Sequence, residues 1–254
     1  MGNGGGSADC ITSCGPECPP CCPACPVLPA PVALDTFAID VHEVRRVDYK
    51  QFLDAAVDLS TQSAVCSWNA SFEPKDTLPI TDTQLCSDYT FDTQVDRPIA
   101  CIDWCDAQAY CAWRGMRLCG KRGGGTLMKV PEDLNDATKS EWFAACSNDG
   151  QQAIPYGDTE DPSRCNTQGG APGSEPLEVT SFDECEGGLA GLFDMVGNVE
   201  EWESSCEPFG PDENHQCSIR GGAYWCDAVD PQPYSQCATT GRSTNRNRGN
   251  ASLS

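Results

Sequence analysis

Apolar and polar residues alternate along Phe37-Ala-Ile39-Asp-Val41, which predicts a strand with one buried face. The period then lengthens. Asp48 reads as a helix cap with Gln51 closing a capping box, and Phe52, Ala55, Ala56 and Leu59 share one helical face. A second helix is predicted from Asp103, with Trp104, Ala107, Cys111 and Trp113 as its apolar stripe and Gly115 as its stop. A third is predicted from Thr138, where Thr138-Lys-Ser-Glu141 has the form of another capping box ahead of Trp142, Ala145 and Cys146. From about residue 150 to 254, Gly, Pro, Asn and Asp recur too often for a long periodic run. Short strands in a loop-rich region are expected there, stapled by disulfides and bound ions. No apolar run approaches the roughly 20 residues that span a bilayer.

Residues 1–34 are of another kind. They hold Cys10, Cys14, Cys18, Cys21, Cys22 and Cys25, seven prolines and a glycine run, with almost no charge. The two CxxC pairs in Cys18-Pro-Pro-Cys21-Cys22-Pro-Ala-Cys25 invite a zinc or redox reading. They abut, however, whereas a zinc ribbon needs a loop between its pairs, and no strand or helix pattern surrounds them. The reading adopted is a disordered or cross-linked tether that holds a folded domain, residues 35–254, away from a surface.

The chain has 254 residues, with 16 Lys+Arg against 38 Asp+Glu, a formal charge of −22. Such a balance excludes a nucleic-acid partner, which requires a basic footprint, and favours cations held by oxygen. Nineteen cysteines point to an oxidising compartment, so an extracellular, periplasmic or cell-surface location is expected. The odd number implies at least one thiol unpaired or paired elsewhere. The first residues show no signal peptide, so an export signal is expected upstream of the sequence given.

Four segments, in order, resemble the signature of the formylglycine-generating enzyme (sulfatase-modifying factor) family. They are Phe37-Ala-Ile-Asp40-Val-His-Glu43-Val44 with Tyr49 and Phe52; Arg97-Pro98 through Trp104, Asp106, Ala107, Tyr110, Cys111 and Trp113, on to Arg117-Leu118 and Glu141-Trp142; Gly191-Leu192-Phe193-Asp194-Met-Val-Gly197-Asn198-Val199-Glu-Glu201-Trp202; and Arg220-Gly221-Gly222-Ala223-Tyr224-Trp225. The resemblance implies an α+β fold, a variant of the C-type lectin-like fold with little regular secondary structure.

In the third segment Asp194 and Glu201 are hard oxygen donors, and Gly197 suits a tight turn that exposes carbonyls. By resemblance, the positions of Asp194, Gly197, Val199 and Glu201 bind a structural Ca²⁺, two by side chain and two by carbonyl. Asn166 and Thr167 fall at the start of a second family calcium site, but no Asp stands where its carboxylate belongs. Family enzymes oxidise a substrate cysteine to formylglycine with O₂, using copper held by two cysteines five residues apart. Thiolates suit copper(I). Cys226 stands at the first position, but Pro231 stands at the second. Cys237 matches instead the family's structural cysteine, whose partner lies at Cys146. Copper is therefore doubtful and Cys226 a weak catalytic candidate. Related members use a histidine-bound iron, but His42 and His215 are far apart and form no cluster. Gly123-Gly-Gly125 lacks the Lys-Ser/Thr of a phosphate loop and reads as a turn.

Flanking loops suggest three disulfide clips, Cys66–Cys86, Cys165–Cys185 and Cys206–Cys217. In the family, the cysteine at Cys111 bonds one in a C-terminal strand that this sequence does not reach, so Cys111 is expected to be unpaired. Two functions compete. One is a catalytically degenerate, calcium-stabilised binding module for a peptide, protein or glycan, with part of its surface in the Ser/Thr/Asn-rich stretch Asp227–Ser254 that carries Arg242, Arg246 and Arg248. The other is a copper-dependent oxidase converting a peptide cysteine to formylglycine.

Overall fold

A computed structural model describes residues 29–74, 91, 93–167, 175–224, 236–238 and 243–245. Regular elements are short and widely separated. Strands β1 (Val32–Leu34) and β2 (Phe37–Ile39) pair antiparallel, with Val32 opposite Ile39, around a turn in which Asp35 takes φ +44°. β1 lies inside the segment read as a tether, so the folded part begins at or before Val32 and not at Asp35. Helix α1 spans Arg46–Asp54, α2 Trp104–Trp113, α3 Pro131–Leu134 and α4 Glu141–Cys146. A second antiparallel sheet has the order β3 (Glu201–Glu207), β4 (Gln216–Arg220), β5 (Ser243–Asn245), with a bulge in β3 between Trp202 and Cys206. The architecture is mixed, small helices and small sheets joined by long loops.

Helix α2 starts where its sequence indicates. Asp103 accepts from the backbone N–H groups of Cys105 and Asp106, and Asp106 reaches back to the N–H of Asp103, a reciprocal capping box. Its end is equally clear, with Gly115 at φ +73°. The two other predicted caps are displaced. Helix α1 begins after Arg45, and its first N–H groups are satisfied by loop carbonyls, Arg46 by Arg97 and Val47 by Val95. Asp48 is therefore not a cap; its carboxylate is gripped by the Arg45 guanidinium at 2.8 and 3.1 Å. The helix also stops before Ala55, so Leu59 falls in a separate turn and is exposed. Ser140, not Thr138, caps α4, its hydroxyl accepting from the N–H of Phe143. Glu141 is drawn away from capping by Arg117 and by the N–H of Gly120.

Two apolar clusters form the core. The first packs α1 and α2 against β3 and β4 through Tyr49, Phe52, Tyr110, Trp104, Trp202 and Ile219, with the Tyr49 and Tyr110 rings stacked 5.5 Å apart. The second gathers Ile39, Trp142, Leu192, Met195 and Val196. Buried disulfides sit in both. Cys66 bonds Cys105, and Cys146 bonds Cys237, Cys165 Cys185 and Cys206 Cys217. The Cys66–Cys86 clip is thereby corrected. Cys105 lies in the first turn of α2, facing the core against which the turn at Ala64–Cys66 packs, so a partner 39 residues away is the near one in space. Cys86 lies outside the described residues. Cys111 is a buried free thiol, and so is Cys119, which the sequence does not single out. No helix among the described residues is long and apolar enough to cross a membrane.

Candidate functional site

The loop from Phe193 to Val199 winds through three left-handed residues, Asp194 at φ +59°, Gly197 at +82° and Asn198 at +52°. Aspartate and asparagine tolerate this region better than most side chains. Gly197 has a second reason to be glycine, since a Cβ there would lie 2.7 Å from the Asn166 carbonyl oxygen. The loop is pinned on several sides. The N–H of Phe193 donates to Val41 O, that of Gly197 to Gly221 O, and that of Asn198 to Asn166 O. The first, third and fourth sequence segments thus meet at one place.

At that place lie three buried carboxylates. Glu43, Asp194 and Glu201 are 0%, 4% and 1% exposed. Glu43 is the hub: its two oxygens accept from the Asn198 side-chain amide at 2.7 Å and from the Val199 N–H at 3.0 Å. Asp194 accepts from the N–H of Thr180 at 2.7 Å, and Glu201 from the indole of Trp142 at 2.5 Å. Burial, and then the charges of Asp194 and Glu201, push the Glu43 carboxyl well above its usual range. Burial raises Asp194 to about 6. The sequence quotes Glu43 in its first motif without giving it a role; an acid flanked by apolar Val41 and Val44 ahead of a helix is the signal that was available.

A second polar group adjoins the first. Glu203 is fully buried and raised by burial, and one of its oxygens accepts from the Ser140 hydroxyl at 3.1 Å. Arg220, also buried, lies over the Trp142 ring at 4.4 Å and donates to the carbonyls of Leu134 and Cys237. Its charge faces Glu203 and Glu201, while burial lowers its own proton affinity. Among the described residues, no three His, Cys, Asp or Glu side chains are gathered as a metal site. A cation held by two carboxylates there needs main-chain oxygens as well.

The expected Cys146–Cys237 disulfide is present. Cys237, the first cysteine after Cys226, is bonded to Cys146 with Cα atoms 5.6 Å apart and is fully buried. Cys226, Pro231 and most of Asp227–Ser254, including Arg242, Arg246 and Arg248, lie outside the described residues. His42 holds the backbone carbonyl of Glu43 and His215 lies 3.4 Å from Asp212, in unrelated parts of the fold.

The family described as sulfatase-modifying factor enzyme 1-like domain matches residues 24–252. The chain belongs to that family. It is 28% identical over 245 residues to a bovine protein named inactive C-alpha-formylglycine-generating enzyme 2, covering 84% of this chain and 73% of the relative. It is 24% identical over 254 residues to bovine formylglycine-generating enzyme, covering 84% of this chain and 63% of that one. Among solved structures, PvdO from Pseudomonas aeruginosa superposes with a TM-score of 0.50 at 20% identity, over 85% of this chain and 78% of its own. That likeness concerns the fold.

Proposed function

We propose that this member of the sulfatase-modifying factor family is a catalytically degenerate, calcium-stabilised binding module, a lectin-like variant of the fold acting outside the cytosol. The observation that carries the loss of catalysis is Pro231, which stands at the second copper-ligand position five residues after Cys226. Proline offers no ligand atom, and the next cysteine, Cys237, is held in the structural disulfide with Cys146. The similarity to a relative named as inactive supports the same reading.

The donor set around Glu43 suits calcium. Carboxylates and carbonyls are hard oxygen ligands, and three buried acids, of which Asp194 and Glu201 raise the proton affinity of Glu43, favour a divalent cation. Asp194 and Glu201 would hold the ion by side chain and Gly197 and Val199 by carbonyl, while Glu43 stays bonded to Asn198 and Val199 as support. The ion would act structurally, neutralising charge in a loop with few regular hydrogen bonds.

The oxidised, cross-linked core fits a module exposed to an oxidising compartment, where irregular loops present a peptide, protein or glycan ligand. The deciding experiment is copper(I) titration of the disulfide-intact protein against a competing chelator, with turnover of a cysteine-containing peptide measured in parallel. No stoichiometric copper and no turnover are expected. Tight binding that depends on Cys226, with formation of formylglycine, would establish the oxidase instead.

A further inference from the structure

The hairpin joining β3 to β4 is closed at its base by Cys206–Cys217, directly opposed residues in the ladder. Its tip, Pro208-Phe209-Gly210-Pro211, is stiff. Two prolines fix φ, Gly210 takes φ +70°, and the turn after Pro211 bonds itself through Asn214 N–H to Pro211 O at 2.9 Å. On this tip Phe209 is 66% exposed. Beside it runs the segment Leu127–Lys129, whose Leu127 N–H donates to Ser204 O at 2.9 Å and whose Lys129 ammonium lies 3.3 Å from Glu207. That segment displays Met128, also 66% exposed.

A single exposed apolar residue is ordinary. An aromatic ring held in water on a cross-linked loop, with a methionine on the adjoining segment, is less so. Its ordering cost is met before any partner arrives, and large aromatic side chains are the usual anchors of interfaces. Glu207, Asp212 and Glu213 stand within four residues of Phe209 on the same hairpin, with Lys129 and His215 offsetting part of their charge. A chain carrying −22 resists pairing with its own copy through this face.

We infer that the hairpin is a docking finger, with Phe209 and Met128 as anchors, for a partner protein that offers an apolar pocket ringed by Lys and Arg. The anchors share no residue with the carboxylate cluster, so the inference stands whatever becomes of the calcium and copper readings. The probe is a random peptide library displayed on phage, selected on the intact, calcium-loaded protein. Selected peptides are expected to combine bulky apolar with basic residues. Their synthetic forms should bind Phe209→Ser and Met128→Ser at least about tenfold more weakly than the parent, with unchanged affinity for Leu59→Ser. Added salt should weaken the binding. Both variants alter exposed side chains, and unchanged melting temperature and disulfide mass will show that they fold. Selected peptides indifferent to Phe209, peptides without basic residues, no Phe209-dependent binder at all, or Phe209-dependent dimerisation in sedimentation would each overturn the inference.

Discussion

Calcium depletion should turn the buried acid cluster from an asset into a pH-dependent liability. Burial raises Asp194 from 3.8 to about 6, so the folded protein without the ion prefers this group protonated. Its stabilisation is therefore complete below about pH 3.8 and is lost as the pH climbs through about 6. At about 1.4 kcal/mol for each tenfold in proton affinity, the gap amounts to about 3 kcal/mol. Glu43, raised by its burial and by the charges of Asp194 and Glu201, acts in the same direction. For a domain of this size that corresponds to a fall in melting temperature of roughly 6–12 °C between about pH 4 and pH 7. With calcium the sign should reverse, because the ionised carboxylates are the proposed ligands. Calcium at a hundred times its dissociation constant adds about 2.7 kcal/mol, and almost nothing where Asp194 is protonated. Scanning calorimetry of depleted and calcium-loaded protein across this range provides the comparison. Asp194→Asn separates the effect from the general repulsion of an acidic chain, since asparagine accepts the left-handed backbone at this position. Its depleted form should show a slope flatter by about 3 kcal/mol and no response to calcium. Parallel slopes for the variant and the parent, or a melting temperature near neutrality unmoved by calcium, would refute the reasoning.

Asn198→Ala removes side-chain bonds to Glu43, Asn166 and Leu177 and places alanine at φ +52°. A loss of about 3 kcal/mol or more is expected from urea unfolding, and a loss within experimental error would show that Glu43 does not depend on this amide. Replacing both Cys146 and Cys237 by serine opens a link spanning 91 residues and should cost about 4–5 kcal/mol, against about 3 for the Cys206–Cys217 pair, which spans 11; equal losses would mean that native packing, not the unfolded chain, sets the difference. Burial pushes the Cys111 thiol up to about 12 and holds Cys119 well above its usual range. Iodoacetamide near pH 8 should therefore label neither in the folded protein and both after unfolding, as read by peptide mass spectrometry; rapid labelling of either in the folded state would contradict their burial.

What could be read in advance was whatever rests on neighbours in sequence. Asp103 and Asp106 lie three residues apart and cap each other, so the start of α2 was legible. The caps of α1 and α4 were not, because the groups that satisfy or divert them, Arg97 and Val95 for one and Arg117 for the other, come from distant loops. Cys66 illustrates the same limit: its spacing to Cys86 suggests a local clip, but packing of α2 chooses Cys105. Asp194, Gly197 and Glu201 share a motif and were visible together. Glu43 completes the cluster from more than 150 residues away, and its local signal, an acid among apolar neighbours ahead of a helix, does not say where its partners lie. Arg220 was visible only as a motif letter, though its guanidinium joins α3, α4 and Cys237.

Those long reaches bear on how the molecule is made. Glu43, synthesised early, waits for Asn198 and Val199, and Cys146 waits for Cys237. Until residue 220 emerges, Glu203 has no arginine facing it. A ribosome-bound fragment that ends before these positions holds buried acids without partners and half-cysteines without mates, so no early portion is a stable unit. Contacts so distant along the chain also slow the search for the native state. The native structure can therefore close only once the second half of the chain is made.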